Sequence, residues 1–404
     1  MEAFDEGLSD ASRYQWKVIL SDGHLNFSDA SKSIIEKQVP KPFGDGRKYT
    51  KYVDALDSHL TDLVEKGVLH KKIYNGDFLD TIQTEGISEI HNELRDYVEN
   101  GGELSTPAKD YVKLMGKIKK GVDDGHTVFI VGNHDDPKKL DELKIDHQVT
   151  YSDDLMDVEH GDRHDKILHD LHLHRGGFLQ YFMSREVPHK SRLYRPVMEM
   201  KKAMRVFGLG VIVVDQLVKK GTHKVYSFFN KDDWQREVDK GLEKLTKQPG
   251  KYSLLGYQNA KQQRMLKHKD DDKIMVLGHD HRPYLGKGGG VVLGDLYRYG
   301  PSFVGGDEKN VYVLMGIIGP KDIFEAGKEV NPKQPFKLGH MWQYSWDTHL
   351  SDGNWKFIGK VKGENYLESL KNPLSVSPTY EKIMSEEIFE PSYIEPLLAD
   401  KIKA

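Results

Sequence analysis

The stretch HTVFIVGNHD, residues 126–135, carries the clearest fold signal in the chain. Its first half, His126 to Val131, is rich in β-branched and aromatic residues and predicts a buried strand. The strand runs directly into the polar sequence GNHD at residues 132–135. In an open α/β sheet, ligands gather at the carboxyl ends of the strands. We therefore expect these polar side chains to face a functional crevice.

Four further polar motifs accompany this one in a fixed order. Three of them follow apolar runs that predict strands, and one follows a weaker strand at residues 156–159. The motifs are Asp22-Gly23-His24, Gly76-Asp77-Phe78-Leu79-Asp80, His160-Gly161-Asp162 and Gly278-His279-Asp280-His281. Because neighbouring strands end at one edge of a sheet, residues distant in sequence are predicted to converge on one site.

Helical segments separate the predicted strands. Apolar residues recur at helical spacing in residues 51–66, and residues 111–118 are helical again. This βαβα alternation predicts an α/β sandwich with parallel strands. The remaining predicted strands span residues 16–21, 72–74, 273–277, 290–293 and 311–318, with a hairpin formed by residues 341–346 and 355–361.

The residue types in the motifs suit two divalent metal ions. Carboxylate and amide oxygens together with imidazole nitrogens match Mn, Fe, Zn, Co or Ni better than calcium. Two such ions about 3.5–4 Å apart clamp the attacking and leaving oxygens of a phosphoryl transfer, and they lower the pKa of a bound water to roughly 7. This chemistry requires no thiol nucleophile, and the chain has no cysteine.

The order D-x-H, G-D-x-x-D, G-N-H-D, H-G, G-H-x-H resembles the calcineurin-like metallophosphoesterases. The resemblance covers about residues 16–318 in outline, although the segment between His160 and Gly278 contains none of the motifs. It implies the family's four-layered αββα metallophosphoesterase sandwich. It also implies hydrolysis of a phosphoester or pyrophosphate bond by a hydroxide that bridges two divalent transition-metal ions. Manganese is the first choice, with Fe, Zn, Co or Ni as alternatives.

The family pattern assigns metal ligands motif by motif. One ion would be held by Asp22, His24 and His281, and Asp77 would bridge both ions. The second ion would be held by Asn133, His160 and His279. All seven positions carry a residue that can bind a metal.

The resemblance also implies catalytic roles for two residues beside Asn133. His134 would face the substrate and stabilise or protonate the leaving oxygen. Asp135 would orient His134. Both roles are expectations carried over from the family pattern.

A narrower resemblance connects the chain to the UDP-2,3-diacylglucosamine pyrophosphohydrolases. The sequence SDGHL at residues 21–25 is similar to their S-D-x-H-L, and Arg282-Pro283 follows the last motif as in that group. Those enzymes usually have arginine where this chain has His134, and they are much shorter. The chain matches Ser/Thr protein phosphatases poorly, because Thr81-Ile82 replaces their Arg-Gly.

The motif spacing predicts a core that is interrupted by an insertion. Residues 165–269 have helical composition and are predicted to form a cap, in which Arg192 and Arg195 would bind the substrate's phosphate groups or form a solvated face. The predicted divisions are residues 1–15 as an N-terminal tail, 16–164 and 270–318 as the two parts of the core, and 319–404 as a C-terminal extension with a β-hairpin.

Composition limits the partners and the compartment. The net charge of −4 gives no bulk attraction to nucleic acid or anionic lipid. A phosphorylated small-molecule or lipid-linked substrate is therefore favoured, with a nuclease as the first alternative and a metal-free scaffold of the same fold as the second. The lack of cysteine, of a secretory signal and of a transmembrane segment favours a cytoplasmic protein, with peripheral membrane association as an alternative.

Overall fold

A computed structural model describes the structure of the chain over ten segments. They are residues 11–25, 27, 46–79, 86–162, 273–279, 281, 283–286, 289–325, 331–346 and 355–376. Except for Asp162, these residues belong to one compact unit. The predicted cap at residues 165–269, with Arg192 and Arg195, lies outside the described residues.

Twelve strands and seven α-helices are formed by the described segments. The strands are β1 (Lys17–Ser21), β2 (Lys71–Asn75), β3 (Thr127–Ile130), β4 (Thr150–Ser152), β5 (Met156–Glu159), β6 (Ile274–Leu277), β7 (Tyr284–Gly286), β8 (Gly290–Val292), β9 (Ser302–Gly306), β10 (Asn310–Ile318), β11 (Leu338–Ser345) and β12 (Lys356–Lys362). The helices are α1 (Gly46–Glu65), α2 (Gly86–Asn100), α3 (Thr106–Asp123), α4 (Pro137–Glu142), α5 (Leu296–Tyr299), α6 (Pro320–Glu325) and α7 (Tyr366–Lys371).

The described strands form two mixed sheets. The larger has the order β12-β11-β10-β9-β1-β2-β3, and the smaller has the order β4-β5-β6-β8-β7. Strands β1, β2 and β3 are parallel to one another, as are β5, β6 and β8. The protein is therefore a mixed α/β protein, compatible with an α/β sandwich.

The expectation of parallel strands holds only for β1, β2 and β3, at one end of the larger sheet, and for β5, β6 and β8, at the centre of the smaller one. From β9 to β12 every neighbouring pair is antiparallel. The connection from β9 to β10 is only three residues long, which permits a hairpin but no crossover to a parallel strand. The polar β4 and the short β7 close the two edges of the smaller sheet in antiparallel pairs.

The alternation of side chains in the larger sheet separates two hydrophobic layers. Ile19, Ile73 and Ile130 point to one face, where they pack in the same cluster as residues of the smaller sheet such as Val158 and Val276. The other face, including Leu20, Tyr74 and Phe129, packs with residues of α1 and α3 such as Leu60 and Tyr111. The described residues thus form helix, sheet and sheet layers in that order.

The far face of the smaller sheet is also apolar. Met275, Leu277 and Val292 are buried and form a cluster of their own. A second helical layer over this face, which the four-layered arrangement requires, is not among the described residues.

The C-terminal part of the chain is tied to the same unit. Strands β11 and β12 extend the larger sheet, and α7 returns to the start of β1. There the Trp16 indole Nε1 donates to the Leu370 carbonyl at 2.8 Å. His59 Nε2 on α1 lies 2.7 Å from the Tyr366 hydroxyl.

A buried ion pair connects α1 to β2. Asp57 on the helix and Lys72 on the strand are almost fully buried, and Lys72 Nζ binds the Asp57 carboxylate. Tyr74 donates its hydroxyl to the same carboxylate, and Lys72 also reaches Thr61 Oγ1 at 2.8 Å. Within the described part of the chain, every helix is too short or too polar to cross a bilayer.

Candidate metal centre

The seven predicted ligands converge at the carboxyl ends of five parallel strands. Asp22, Asp77 and Asn133 follow β1, β2 and β3 of the larger sheet, whereas His160 and His279 follow β5 and β6 of the smaller one. The carboxyl ends of the strands in both sheets thus bring together residues that are up to 259 positions apart in the chain, from Asp22 to His281. His279 and His281 are partly exposed, and the other five ligands are buried.

Main-chain hydrogen bonds hold the motifs in this arrangement. The Asp22 and His24 amides donate to the carbonyls of Gly76 and Asp77, at 3.1 and 2.8 Å. The Gly278 amide donates to the His160 carbonyl at 2.9 Å. Between the sheets, the His279 amide donates to both carboxylate oxygens of Asp22, at 3.1 and 3.0 Å.

The first group of candidate ligands consists of Asp22, His24 and His281. Each can direct one ligand atom to a common region in which these atoms lie within 4.8 Å of one another. The Nε2 atoms of His24 and His281 are 2.9 Å apart, and His281 Nε2 is 3.5 Å from Asp22 Oδ1. This is the set that the resemblance assigns to one ion.

The second group consists of Asp77, His160 and His279. His160 Nε2 lies 3.1 Å from Asp77 Oδ2 and 3.2 Å from Asn133 Oδ1. The amide of Asn133 therefore points to the same region. Together these residues make up the set that the resemblance assigns to the second ion with Asp77 as the bridge.

A third group, of His24, Asp77 and His134, overlaps the other two. Burial alone would raise the pKa of Asp77, but the imidazoles of His160, His134 and His24 outweigh it and hold that pKa well below its usual range. Asp77 is thus a carboxylate surrounded by histidines from three different motifs. Its position between the first and second groups suits a ligand shared by two ions.

His134 is a partly exposed member of the third group. Its side chain is 16% exposed, and its Nε2 is 4.0 Å from Asp77 Oδ2. The ring stands edge-on to that of His24, with centroids 4.9 Å apart. The His134 amide donates to Asp77 Oδ1 at 2.6 Å, which fixes the start of this side chain next to the shared carboxylate.

Asp135 has different partners from those that the sequence predicted. Its two carboxylate oxygens accept hydrogen bonds from the main-chain amides of Leu79 and Gly132, each at 2.8 Å. Burial, with the nearby charge of Asp77, raises the pKa of Asp135 to about 7. The carboxylate therefore connects the loops after β2 and β3, and its recorded hydrogen bonds go to these amides instead of the His134 ring.

Backbone strain is concentrated at the candidate ligands. Seven described residues other than glycine have positive φ, and five of them are Asp22, His24, Asp77, His279 and His281, with φ between 44° and 75°. Such conformations cost about 1–3 kcal/mol each and persist where the surrounding structure enforces them. Their concentration at one edge of the sheets is typical of a functional site.

Two glycines allow the loops to approach one another this closely. Gly76 has a φ of +71°, and a Cβ atom there would overlap the ring of His160. A Cβ atom on Gly132 would overlap the Asp77 carboxylate and amide. The glycines of the motifs G-D-x-x-D and G-N-H-D are therefore needed for the position of the ligands.

Two residues that support the histidines were not predicted from the sequence. Asn75, the last residue of β2, places its carbonyl 3.2 Å from His160 Nδ1. Asp295, just after β8, lies 3.8 Å from His281 Nδ1 through its Oδ2. A signal for Asp295 was present, because Gly294-Asp295 follows a predicted strand as the other motifs do.

The donor atoms fit divalent transition metals. A neutral imidazole has only one N–H. If His160 donates from Nδ1 to Asn75, the lone pair of its Nε2 faces the oxygens of Asp77 and Asn133. A cation between these three atoms would convert a repulsive contact into coordination. The His/Asp groups can therefore bind metal ions.

Comparison of the chain with protein-family models, with curated proteins and with solved structures finds no match.

Proposed function

We propose that this protein is a phosphoesterase that depends on two divalent metal ions, with the site and sandwich fold of the calcineurin-like metallophosphoesterases. The observation that carries the proposal is the overlap of three His/Asp groups around Asp77 and His24. A single ion would need only one of these groups. Overlapping groups that share a buried carboxylate are what two adjacent ions require.

The proposed ligand sets follow from this arrangement. Asp22, His24 and His281 would hold one ion, Asn133, His160 and His279 the other, and Asp77 both. The mixture of carboxylate, amide and imidazole ligands favours Mn, with Fe, Zn, Co and Ni as alternatives. When bound, two such ions supply a nucleophilic water at neutral pH and neutralise the charge on the phosphoryl oxygens.

His134 is the residue that we assign to proton transfer. It is partly exposed, it adjoins the shared carboxylate, and its amide is anchored to Asp77 Oδ1. From this position its Nε2 can give a proton to the leaving oxygen of a phosphoester. Asp135 acts indirectly, because it fixes the loop from Gly132 that carries His134.

The substrate that we propose is a small or lipid-linked phosphodiester or pyrophosphate. The slightly acidic charge of the chain supports this choice over a nucleic acid, since nucleases rely on phosphate neutralisation by cationic residues. The absence of a thiol agrees with hydrolysis that forms no thiol-linked covalent intermediate.

The test is a substrate panel measured with and without metal. Chelator-treated protein would be assayed before and after addition of Mn²⁺ with bis(p-nitrophenyl) phosphate, p-nitrophenyl phosphate, a nucleotide pyrophosphate and single-stranded DNA. We expect metal-dependent hydrolysis of the diester or the pyrophosphate. His147→Ala is a control for histidine loss, because this residue contacts Ile145 and Asp141 away from the ligand groups. If no Mn²⁺-dependent hydrolysis is found, the panel would be repeated with Fe, Zn, Co and Ni. A protein that hydrolyses none of the four substrates with any of the five metals would refute the proposal.

A further inference from the structure

Asp295 is a buried carboxylate bound by Arg298. It follows β8 and precedes α5, and its side chain is 6% exposed. Arg298 binds it three times: the amide donates to Oδ1 at 2.8 Å, Nε donates to Oδ2 at 2.7 Å, and Nη2 lies 2.6 Å from Oδ2. Hydrogen bonds between two charged groups are strong, so this carboxylate is fixed in place.

The fixed carboxylate lies behind a candidate metal ligand. Asp295 Oδ2 is 3.8 Å from His281 Nδ1, and the other ring nitrogen of His281 faces Asp22 and His24. A negative charge beside Nδ1 favours the tautomer with its proton on that nitrogen. The lone pair of Nε2 is then directed to the first group of ligands, as in the carboxylate–histidine–metal arrangements common in metalloproteins.

His160 in the second group has a different kind of support. Its Nδ1 faces the neutral main-chain carbonyl of Asn75 at 3.2 Å. A carboxylate behind an imidazole increases the basicity of that imidazole more than a main-chain carbonyl does, because the carboxylate carries a full charge. The two groups thus differ in the support that their histidines receive.

We propose that Asp295, held by Arg298, is a positioning residue that fixes the tautomer of His281 and strengthens the ion site of Asp22, His24 and His281 selectively. This inference rests on the proposed dinuclear centre. It assigns to the Gly294-Asp295 sequence a role in metal affinity that none of the five motifs covers.

The simpler role for Asp295 is to cap α5, since its Oδ1 accepts the Arg298 amide. Asp295→Asn separates the two roles. Asparagine caps helices about as well as aspartate does, so the variant keeps the cap and loses the charge. Asp307→Asn is the matched control, because Asp307 accepts the amides of Lys309 and Asn310 in the β9–β10 turn, outside the ligand groups.

The experiment measures the affinity of each ion separately. Metal-free wild type, Asp295→Asn and Asp307→Asn would be titrated with Co²⁺ against a chromophoric chelator, while the cobalt absorption bands report the ligand environment. We expect Asp295→Asn to lower the affinity for one of the two ions by about 10–100-fold and to shift the absorption bands of that ion alone. The affinity for the other ion and the melting temperature of the metal-free protein should stay at their wild-type values. Asp307→Asn should change neither affinity.

Two results would overturn the inference while the proposed function stands. One is wild-type affinity for both ions in Asp295→Asn. The other is an equal loss at both ions together with a lower melting temperature of the metal-free protein, which indicates a purely structural role. A wild-type protein that binds no Co²⁺ would instead refute the dinuclear centre, and this inference with it.

Discussion

His24 and His281 face one another with their Nε2 atoms only 2.9 Å apart, although 257 positions separate them in the chain. One comes from the loop after β1 in the larger sheet, and the other comes from the segment after β6 in the smaller sheet. At that distance two neutral imidazoles can share one proton, or both can direct lone pairs to a common ion. Asp22, which is 3.5 Å from His281 Nε2, adds the negative charge that favours a cation there.

Loss of the shared carboxylate should affect both ions. Asp77→Asn removes the charge that lies between the first and second groups of ligands, while the size of the side chain is kept. We expect the variant to retain less than half of the wild-type metal content and to lose nearly all hydrolysis. Metal analysis by mass spectrometry after reconstitution and desalting is the measurement. Loss of a single ion, with the other held at wild-type affinity, would assign Asp77 to one site.

His134 should behave differently from the ligands. His134→Ala should keep the metal content and lower kcat by about 10²–10⁴-fold, which is the usual contribution of a general acid or base. The loss should be smaller for a diester whose leaving group is a weak base, because such a group departs without a proton. His134 also belongs to one of the ligand groups, with His24 and Asp77. A variant that loses metal would therefore show that His134 is a ligand.

Gly132 should be as sensitive as a ligand, although it has no side chain. In Gly132→Ala the new methyl group would overlap the Asp77 carboxylate, so the shared ligand must move. We expect metal content and hydrolysis to fall together. Gly116→Ala is the control, since a Cβ atom there meets nothing within 4 Å in helix α3. It should keep activity and stabilise the protein by up to about 1 kcal/mol. If Gly132→Ala binds metal normally, the close approach of the loops is not required.

The buried pair of Asp57 and Lys72 should dominate the stability of the α1–β2 contact. Lys72→Met leaves the Asp57 carboxylate buried without its cation, and it should lower the free energy of unfolding by about 3–5 kcal/mol. Denaturant unfolding measures the change. Lys66→Met is the matched control. Lys66 pairs with Asp62 at the surface, so the change there should stay within about 1 kcal/mol. Equal effects in the two variants would contradict the importance of the buried pair.

His340 predicts a dependence of stability on pH. Burial, with Lys360 nearby, lowers the pKa of His340 from 6.5 to about 4. Between these two values the unfolded chain binds a proton on this side chain and the folded protein does not, so stability falls as the pH drops. The corresponding loss is about 3 kcal/mol. Between pH 7 and pH 4, the free energy of unfolding of His340→Leu should fall less than that of the wild type. Urea unfolding across that pH range measures the difference. Parallel curves for the two proteins would show that the pKa of His340 is the same in the folded and unfolded states.

The sequence contains the signals for β1, β2, β3, β5 and β6, because each of these predicted strands is followed directly by one of the motifs. The predicted strand at residues 126–131 appears as β3 at Thr127–Ile130, and the weaker strand at residues 156–159 appears as β5 with the same bounds. The convergence of Asp22, Asp77 and Asn133 follows from one rule about strand ends. The rule requires only that these strands be parallel neighbours.

Other features depend on tertiary contacts that no local pattern encodes. Strand β9, with the sequence SFVGG, ends in two glycines and was not predicted. Its neighbours in the antiparallel part of the larger sheet, β10 and the hairpin of β11 and β12, were predicted, so only the strand that joins them to β1 was missed. The partners of Asp135 depend on where the loop after β2 lies, which makes the Leu79 amide its neighbour. The distance between Asp295 and His281 is set by the parallel pairing of β6 with β8.

The most direct test of the dinuclear centre is the number of metal ions that the protein holds. Metal-free protein would be reconstituted with Mn²⁺, desalted and analysed for bound metal, and its electron paramagnetic resonance spectrum would be recorded. A dinuclear centre predicts close to two ions per chain, with the exchange-coupled signal of two adjacent Mn²⁺ ions that share Asp77. Fewer than half an equivalent of Mn²⁺, Fe, Zn, Co or Ni after reconstitution with each would contradict it, and so would the spectrum of isolated, uncoupled ions.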